Sequence, residues 1–146
     1  MDQMSDIQRP AYFFTQSAVI PFRGRGKNLE VMLITSRGGR KWLVPKGVVE
    51  PGMTPQDSAA KEAMEEAGIH GRVLPLSFGC FTYAKWGGVC RVEVFPLRVE
   101  SVRDEWSEPY RKRVWMPYTT AERRVCFPEL GQMIGKLPRL LRDLEG

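Results

Sequence analysis

Apolar residues recur along this chain in short stretches that Gly and Pro interrupt, a pattern typical of a protein rich in strands. Strand-like stretches occur at 17–22, 29–35, 42–44, 72–83, 89–99 and 113–116. Pro75 and Gly79 break the fourth of these stretches. Residues 23–28 are turn-like, so we expect the first two strands to form a hairpin.

Helical periodicity is confined to fewer places. One helix is predicted to begin after Thr54, which suits the N-cap, and to end before Gly68, which suits the left-handed position past a C-terminus. A short helix is predicted near Thr119, and a terminal helix over 130–144, which Pro138 should kink or interrupt. This order of elements predicts an α/β (α+β) fold, with a mixed sheet covered by helices on both faces.

The first helix carries a cluster of carboxylates. Glu62, Glu65 and Glu66 are three and four residues apart, so they project from one face of the helix. Like charges at this spacing destabilise a helix, and a hard divalent cation such as Mg²⁺ would remove the repulsion. A Gly- and Pro-rich loop at 44–52 precedes the helix and can turn backbone groups toward an ion or a phosphate. A solvated acidic face is the alternative interpretation of the glutamates alone.

Residues 47–69 resemble the Nudix box, Gx5Ex7REUxEExGU, in which U is aliphatic. Matching positions are Gly47, Glu62, Ala63, Glu65, Glu66, Gly68 and Ile69. Met53 stands in place of the first glutamate of the pattern, and Lys61 in place of its arginine. In the family those two residues resemble a structural ion pair between loop and helix. Because both ends differ here, we interpret the pair as a relaxed brace and the site as retained.

The resemblance implies a single Nudix hydrolase domain over 1–146, an α/β/α sandwich with a mixed sheet, in which we expect 1–10 to be loose. It implies Mg²⁺-dependent hydrolysis of a phosphoanhydride bond, with Mn²⁺ as an alternative metal. Glu62 and Glu66 are then the principal metal ligands, and the backbone carbonyl of Lys46 is a further one. Glu65 is a third ligand or the catalytic base, so Glu62 and Glu65 are the expected catalytic residues.

Basic residues crowd the approach to the box. The formal net charge is +5, and no acidic residue occurs between positions 37 and 49. Such a cluster is either a solvated loop or a phosphate contact, and its position favours the phosphate contact. The residues expected to bind phosphate are Arg37, Arg40, Lys41, Lys46, Lys85 and Arg91. Those expected to shape the loop of the motif are Gly47, Glu50, Gly52 and Gly68.

Further segments resemble one branch of the family, the diphosphoinositol polyphosphate and dinucleoside polyphosphate phosphohydrolases. They are W-x-x-P-K-G at 42–47, an acidic segment with Trp at 104–108, and R-K-R-x-W at 111–115. The basic first strand and basic loop of the inositol-specific members are missing, so both substrate classes stay open. Tyr83 and Trp86 offer faces that can stack on a base, with packing against the sheet as an equal alternative.

Composition limits the remaining function classes. A length of 146 residues and a hydrophobic fraction of 42% fit one globular domain. There is no transmembrane run or signal-peptide pattern, and the three cysteines lack metal-site spacing, so reduced thiols in a cytoplasm are expected. No nucleic-acid-binding motif is present, so the expected partner is a small-molecule polyphosphate, without nucleic acid or membrane. The sequence does not decide between monomer and homodimer, and a non-catalytic Nudix-fold sensor of nucleotide or polyphosphate is the alternative function.

Overall fold

A computed structural model of the chain describes residues 9–145, without the side chain of residue 145. Most of the expected loose segment, 1–8, lies outside the described residues. The described strands are β1 (Thr15–Arg23), β2 (Glu30–Thr35), β3 (Trp42–Leu43), β4 (Lys46–Val48), β5 (Ile69–Val73), β6 (Gly79–Lys85), β7 (Gly88–Val102) and β8 (Arg113–Pro117). The α-helices are α1 (Pro55–Ala67), α2 (Tyr118–Arg124) and α3 (Pro128–Glu145), and short 3-10 helices span Ala11–Phe14 and Gly26–Asn28.

The strands form one mixed sheet, centred on β1. The strand order is β3-β2-β1-β7-β5, with β4 paired to β1, β6 to β7 and β8 to β2. The pairing of β1 with β7 is parallel and the other pairings are antiparallel. Seven of the nine residues of β1 are buried, as expected for a strand covered on both faces. One edge of β1 pairs with β4 near Ser17 and with β2 near Phe22, which fixes the loop before α1 against the sheet.

Helices cover both faces of the sheet, which confirms the predicted sandwich. On one face, Ala59, Ala63 and Ala67 of α1 are buried against apolar residues of the strands, including Val19 and Met32. Alanine side chains let this helix approach the sheet closely. The opposite face is covered by α2 and α3, whose buried side chains are Ala121, Leu130, Ile134, Leu137 and Leu141, together with Val125 between the two helices. No helix among the described residues has the length and apolar character needed to cross a membrane.

The predicted ends of α1 are confirmed. The Thr54 side chain accepts a hydrogen bond from the Asp57 N–H at 3.0 Å, which caps the N-terminus. Gly68 has φ of 65° and ψ of 31°, and its N–H donates to the carbonyl of Met64 at 3.0 Å. A residue with a Cβ is strained in that left-handed conformation, so glycine is required at this position for conformational reasons.

The structure refines two sequence predictions about secondary structure. The predicted break in 72–83 lies between Val73 and Gly79, so its two halves belong to β5 and β6, which both pair with β7. Pro138 does not interrupt α3, which is helical from Pro128 to Glu145. Leu137 and Leu141 are buried on the sheet on either side of Pro138. Their packing offsets the lost backbone hydrogen bond of the proline.

The contact between α2 and α3 yields a matched pair of substitutions. A Cβ on Gly131 would overlap the backbone carbonyl oxygen of Glu122, whereas a Cβ on Gly135 would meet the carboxylate of the same residue at 2.6 Å. We expect Gly131→Ala to lower the free energy of unfolding by about 1–3 kcal/mol, because backbone cannot move aside. Gly135→Ala should be neutral or stabilising by up to about 1 kcal/mol, since the carboxylate can rotate away and alanine favours helix. Urea unfolding measures both, and the reverse order would contradict this packing.

Candidate active site

The C-terminal half of α1 brings two of the predicted carboxylates against β4. Glu66 is only 8% exposed, and its Oε1 accepts a hydrogen bond from the Lys46 N–H at 3.2 Å. Glu62 lies directly over Gly47, where an added Cβ would come 2.7 Å from Glu62 Cγ and closer still to its carboxylate. Gly47 is therefore needed for the space it leaves. The structure thus brings together four residues that the sequence analysis placed in one site.

The pairing of β4 directs the backbone of Lys46 toward Glu66. In an antiparallel pair, alternate residues bond to the partner strand. The Val19 N–H donates to the Pro45 carbonyl at 3.1 Å, so the neighbouring Lys46 points both its N–H and its C=O away from β1. The N–H reaches Glu66, and the carbonyl lies on the same edge of the strand. The Lys46 carbonyl thus lies where it could act as a backbone metal ligand beside Glu66.

Burial shapes the electrostatics of this pair. It raises the pKa of Glu62 to about 7 and that of Glu66 to about 8, with smaller contributions from the nearby carboxylates, Glu65 in the first case and Glu62 in the second. Carboxyls that are costly to ionise without a partner are stabilised by a bound cation. Mg²⁺ usually takes one or two protein carboxylates, with waters and substrate phosphates as its other ligands. The donor set of two carboxylates and a carbonyl fits that ion.

Glu65 lies beside Glu62 and Glu66 on α1. It is half-exposed, and its backbone carbonyl accepts the Glu108 N–H at 3.1 Å. Among residues 9–145 there is no group of three or more His, Cys, Asp or Glu side chains placed to hold a metal ion. The structure therefore places Glu62 and Glu66 together against β4, with Glu65 beside them.

The interpretation of a relaxed brace is wrong. Lys61 Nζ lies 3.2 and 3.1 Å from the two carboxylate oxygens of Glu50, so an ion pair still joins the loop to α1. Glu50, three residues before Met53, thus supplies the carboxylate on the loop. Its hydrogen bond raises the pKa of Lys61. Both side chains are exposed, so the pair contributes little to global stability. Its effect is local, on the loop that also contains Gly52, with φ of 86°.

The side chain of Lys46 projects toward Tyr83. Its Nζ donates to Tyr83 Oη at 3.0 Å and lies 4.4 Å from the centre of the tyrosine ring. Burial lowers the pKa of Lys46, and the charge of Lys85 lowers it further, so these two cations are neighbours. Tyr83 packs on Phe127, with ring centroids 5.5 Å apart, and Trp86 packs on Phe13 at 5.3 Å. These contacts favour packing over base stacking for both aromatic residues.

The other predicted phosphate ligands are placed differently. Arg37, Arg40 and Lys41 are all exposed on the loop between β2 and β3, so a ligand can reach their side chains. Arg91 instead lines a small cavity with Pro55, at the N-terminal end of α1. At 1.5 Å per residue, Glu62 and Glu66 lie roughly 10 and 16 Å further along that helix. Arg91 is therefore not brought together with the other cations.

The sequence analysis missed an ionic group beside the glutamates. Arg111 Nε donates to Glu108 Oε1 at 2.8 Å, and its Nη1 donates to the Thr35 carbonyl at 2.9 Å. The charge of Arg111 acts to lower the pKa of Glu66, against the larger effect of burial. The R-K-R-x-W segment at 111–115, which begins with this arginine, is the signal for it in the sequence.

The next arginine of that segment caps α1. Arg113 Nη1 donates to the Ala67 carbonyl at 2.7 Å, and its guanidinium lies 3.7 Å from the centre of the Trp106 ring. A cation at this end satisfies one of the unpaired helix carbonyls and suits the negative end of the helix dipole. Arg113 therefore fixes the end of the helix that carries the carboxylates.

Comparison with known proteins agrees with this fold. The family model described as NUDIX domain matches residues 14–133, and the chain belongs to that family. It is 31% identical over 109 residues to diphosphoinositol polyphosphate phosphohydrolase 3-alpha of Mus musculus, covering 73% of this chain and 65% of that protein. It is 31% identical over 116 residues to Nudix hydrolase 17, mitochondrial, of Arabidopsis thaliana, covering 73% of this chain and 63% of that protein. The chain thus matches slightly less than two thirds of the length of these relatives.

Solved structures share the fold at lower identity. The crystal structure of C. elegans Ap4A hydrolase superposes with a TM-score of 0.72, covering 88% of this chain and 98% of that chain. The sequences are 20% identical, so this likeness shows the common fold. A NUDIX hydrolase from Nitrosomonas europaea superposes with a TM-score of 0.64 at 19% identity, covering 84% of this chain and 86% of that chain.

The close contact at Gly47 generates a test of the metal site. Gly47→Ala should displace the Glu62 carboxylate and weaken Mg²⁺ binding at least about tenfold, while the free energy of unfolding changes by less than about 1 kcal/mol. Isothermal titration with Mg²⁺ and urea unfolding measure the two effects. Gly38→Ala is the matched control, because its Cβ would meet nothing within 4 Å. Equal Mg²⁺ affinity in both variants would contradict the placement of Glu62.

The raised pKa values predict that the metal-free protein loses stability as pH rises. The unfolded chain releases the protons of Glu62 and Glu66 near 4.5, whereas the folded protein holds them to about 7 and 8. The folded state thus binds more protons across this window, so the free energy of unfolding falls as pH rises from 4.5 to about 8. Urea unfolding in EDTA at several pH values measures the fall.

Glu66→Gln supplies the control for that pH dependence. The variant lacks one of the two titrating groups, so its stability should fall less over the same pH range. Saturating Mg²⁺ should likewise reduce the fall in the unmodified protein, because the ion favours the charged carboxylates. An identical pH dependence in the variant and the unmodified protein would refute the role of Glu66 burial.

Proposed function

We propose that this chain is a Mg²⁺-dependent pyrophosphohydrolase, with Mn²⁺ as an alternative metal, that cleaves a phosphoanhydride bond in a small-molecule polyphosphate. The observation that carries this proposal is the pair formed by the buried Glu66 and the half-buried Glu62, which lie against Lys46 and Gly47 of β4. Lys46 contacts Glu66 through its backbone and places a cation nearby, as a polyanionic substrate requires. The substrate classes are nucleoside polyphosphates, dinucleoside polyphosphates and diphosphoinositol polyphosphates, in keeping with the names of the relatives.

The roles follow from the positions of the side chains. Glu62, Glu66 and the Lys46 carbonyl would hold the metal, which neutralises phosphate charge and acidifies a bound water when present. The Lys46 N–H holds Glu66 in place. Glu65, half-exposed beside the pair, takes the proton of the attacking water, with Glu62 as the alternative acceptor. A bond forms between the water oxygen and one phosphorus as the bridging P–O bond breaks.

The remaining cations would bind the phosphates that are not attacked. Lys46 and Lys85 are neighbours, and the exposed Arg37, Arg40 and Lys41 can approach from the loop before β3. Arg91 is excluded from the proposed set by its position at the far end of α1. The ion pair between Lys61 and Glu50 favours an enzyme over a non-catalytic sensor, because the loop is still joined to α1. The cysteines are free thiols, and a cytoplasmic location stays a prediction.

Glu66→Gln should abolish metal-dependent turnover while the fold stays intact. Loss of a buried ligand carboxylate should lower kcat by about a thousandfold or more. Phosphate release with Mg²⁺ would be scored on diadenosine polyphosphates, nucleoside sugars, ADP-ribose and diphosphoinositol polyphosphates, with circular dichroism for the fold. Glu129→Gln, at an exposed position of α3, is the control.

Two outcomes would overturn the proposal. Near-normal turnover by Glu66→Gln would refute the assignment of the metal pair. Inactivity of the unmodified chain on every substrate, together with tight nucleotide binding, would instead identify a sensor.

A further inference from the structure

Tyr83 lies at the centre of a polar chain that crosses the sheet. Strands β4, β1, β7 and β6 are successive neighbours, and on the face covered by α3 they carry Lys46, Gln16, Cys90 and Tyr83. Lys46 and Tyr83 meet above Gln16, with Nζ at 3.0 Å and the Gln16 Oε1 at 2.8 Å from the same tyrosine oxygen. The Tyr83 hydroxyl therefore links β6 to β4 and β1, strands with which β6 is not paired.

The direction of each hydrogen bond in this chain can be assigned. Gln16 is 3% exposed, and its Nε2 lies 3.4 Å from the Phe13 carbonyl oxygen and 3.6 Å from Cys90 Sγ. A carbonyl oxygen only accepts, so the amide nitrogen must face Phe13 and the amide oxygen must face Tyr83. The Tyr83 hydroxyl then donates its proton to Gln16. Its lone pairs accept from the Lys46 ammonium.

The Lys46 ammonium keeps hydrogen-bonding capacity for a ligand. An ammonium has three N–H donors, and among the described residues Tyr83 is the acceptor that this one contacts. No carboxylate of the described residues lies within 4.0 Å of it, and Lys85 is a neighbouring cation. A half-buried cation whose one contact is neutral favours an anion as its next partner. The backbone of the same residue contacts Glu66, so such an anion would lie beside the reaction centre.

We propose that Tyr83 is a positioning residue that holds the Lys46 ammonium where it binds a phosphate of the substrate that is not attacked, with Gln16 orienting the Tyr83 hydroxyl. This inference rests on the proposed function, which supplies the identity of the anion. Tyr83 acts through Lys46 and not by stacking on a base, because Phe81 and Phe127 pack on its ring, with centroids at 6.4 and 5.5 Å. The property it controls is affinity for the polyphosphate chain.

Tyr83→Phe tests the proposal, since it removes the hydroxyl and keeps the packed ring. Binding of inorganic tripolyphosphate, measured by isothermal titration in EDTA, should weaken about five- to tenfold. In turnover assays KM should rise by a similar factor, while kcat stays within about twofold, since the substrate is bound less well but cleaved by the same groups. Tyr118→Phe, at another half-buried tyrosine, should leave tripolyphosphate binding unchanged.

A double-mutant cycle shows whether Tyr83 acts through Lys46. Lys46→Met should weaken tripolyphosphate binding more than Tyr83→Phe does. Adding Tyr83→Phe to Lys46→Met should then have no further effect, because the group to be positioned is gone. An equal effect of Tyr83→Phe in both backgrounds would refute positioning, as would unchanged binding in Lys46→Met or in Tyr83→Phe alone.

Gln16→Met provides a second route should Tyr83→Phe fail to fold. It frees the Tyr83 hydroxyl to turn its proton toward Lys46, so tripolyphosphate binding should again weaken, and unchanged binding would refute the role of Gln16. The binding assay contains neither metal nor turnover. If Tyr83→Phe weakens tripolyphosphate binding but the unmodified protein hydrolyses no substrate, the proposed function is refuted and the positioning role is not. If the unmodified protein is active but Tyr83→Phe leaves binding unchanged, the positioning role is refuted and the proposed function is not.

Discussion

The close approach of α1 to β4 is the constraint on which the site depends. Small side chains on the inner face of α1 let the helix lie near the sheet, and Gly47 leaves room for Glu62 above the strand. At this separation the Lys46 N–H reaches Glu66, and both carboxyls lose much of their water. The same packing that stabilises the sandwich therefore makes two carboxyls costly to ionise, and a bound divalent cation would offset that cost.

The helix that carries these charges is held at its end by the chain between β7 and β8. The Arg113 guanidinium binds the Ala67 carbonyl, the Arg103 N–H binds the Gly68 carbonyl at 2.8 Å, and the Glu108 N–H binds the Glu65 carbonyl. Repulsion among neighbouring glutamates would otherwise favour fraying of the last turn. These contacts satisfy helix carbonyls that would otherwise depend on solvent, so they stabilise the turn that carries Glu65 and Glu66.

The sequence predicted those features that depend on short-range interactions. The caps of α1 at Thr54 and Gly68 involve residues a few positions apart, and the helix face with its glutamates follows from periodicity. Contacts between residues that are far apart in the sequence were not predicted. Glu50, and not Met53, pairs with Lys61, because the turn of the loop decides which side chain reaches the helix. Arg111 reaches Thr35 across 76 residues, a contact that depends on how β2 and β8 pair.

Lys46 links the two halves of the site because a strand residue presents its backbone and its side chain in different directions. Its N–H lies in the plane of the sheet and binds Glu66, whereas its ammonium stands on the face covered by α3 and binds Tyr83. A substrate that contacts both must pass over the edge of β4. A phosphate chain is long and flexible enough to do so, in keeping with the polyphosphate substrate proposed above. The position of Lys46 in β4 thus affects both the proposed metal site and the proposed contact with substrate phosphate.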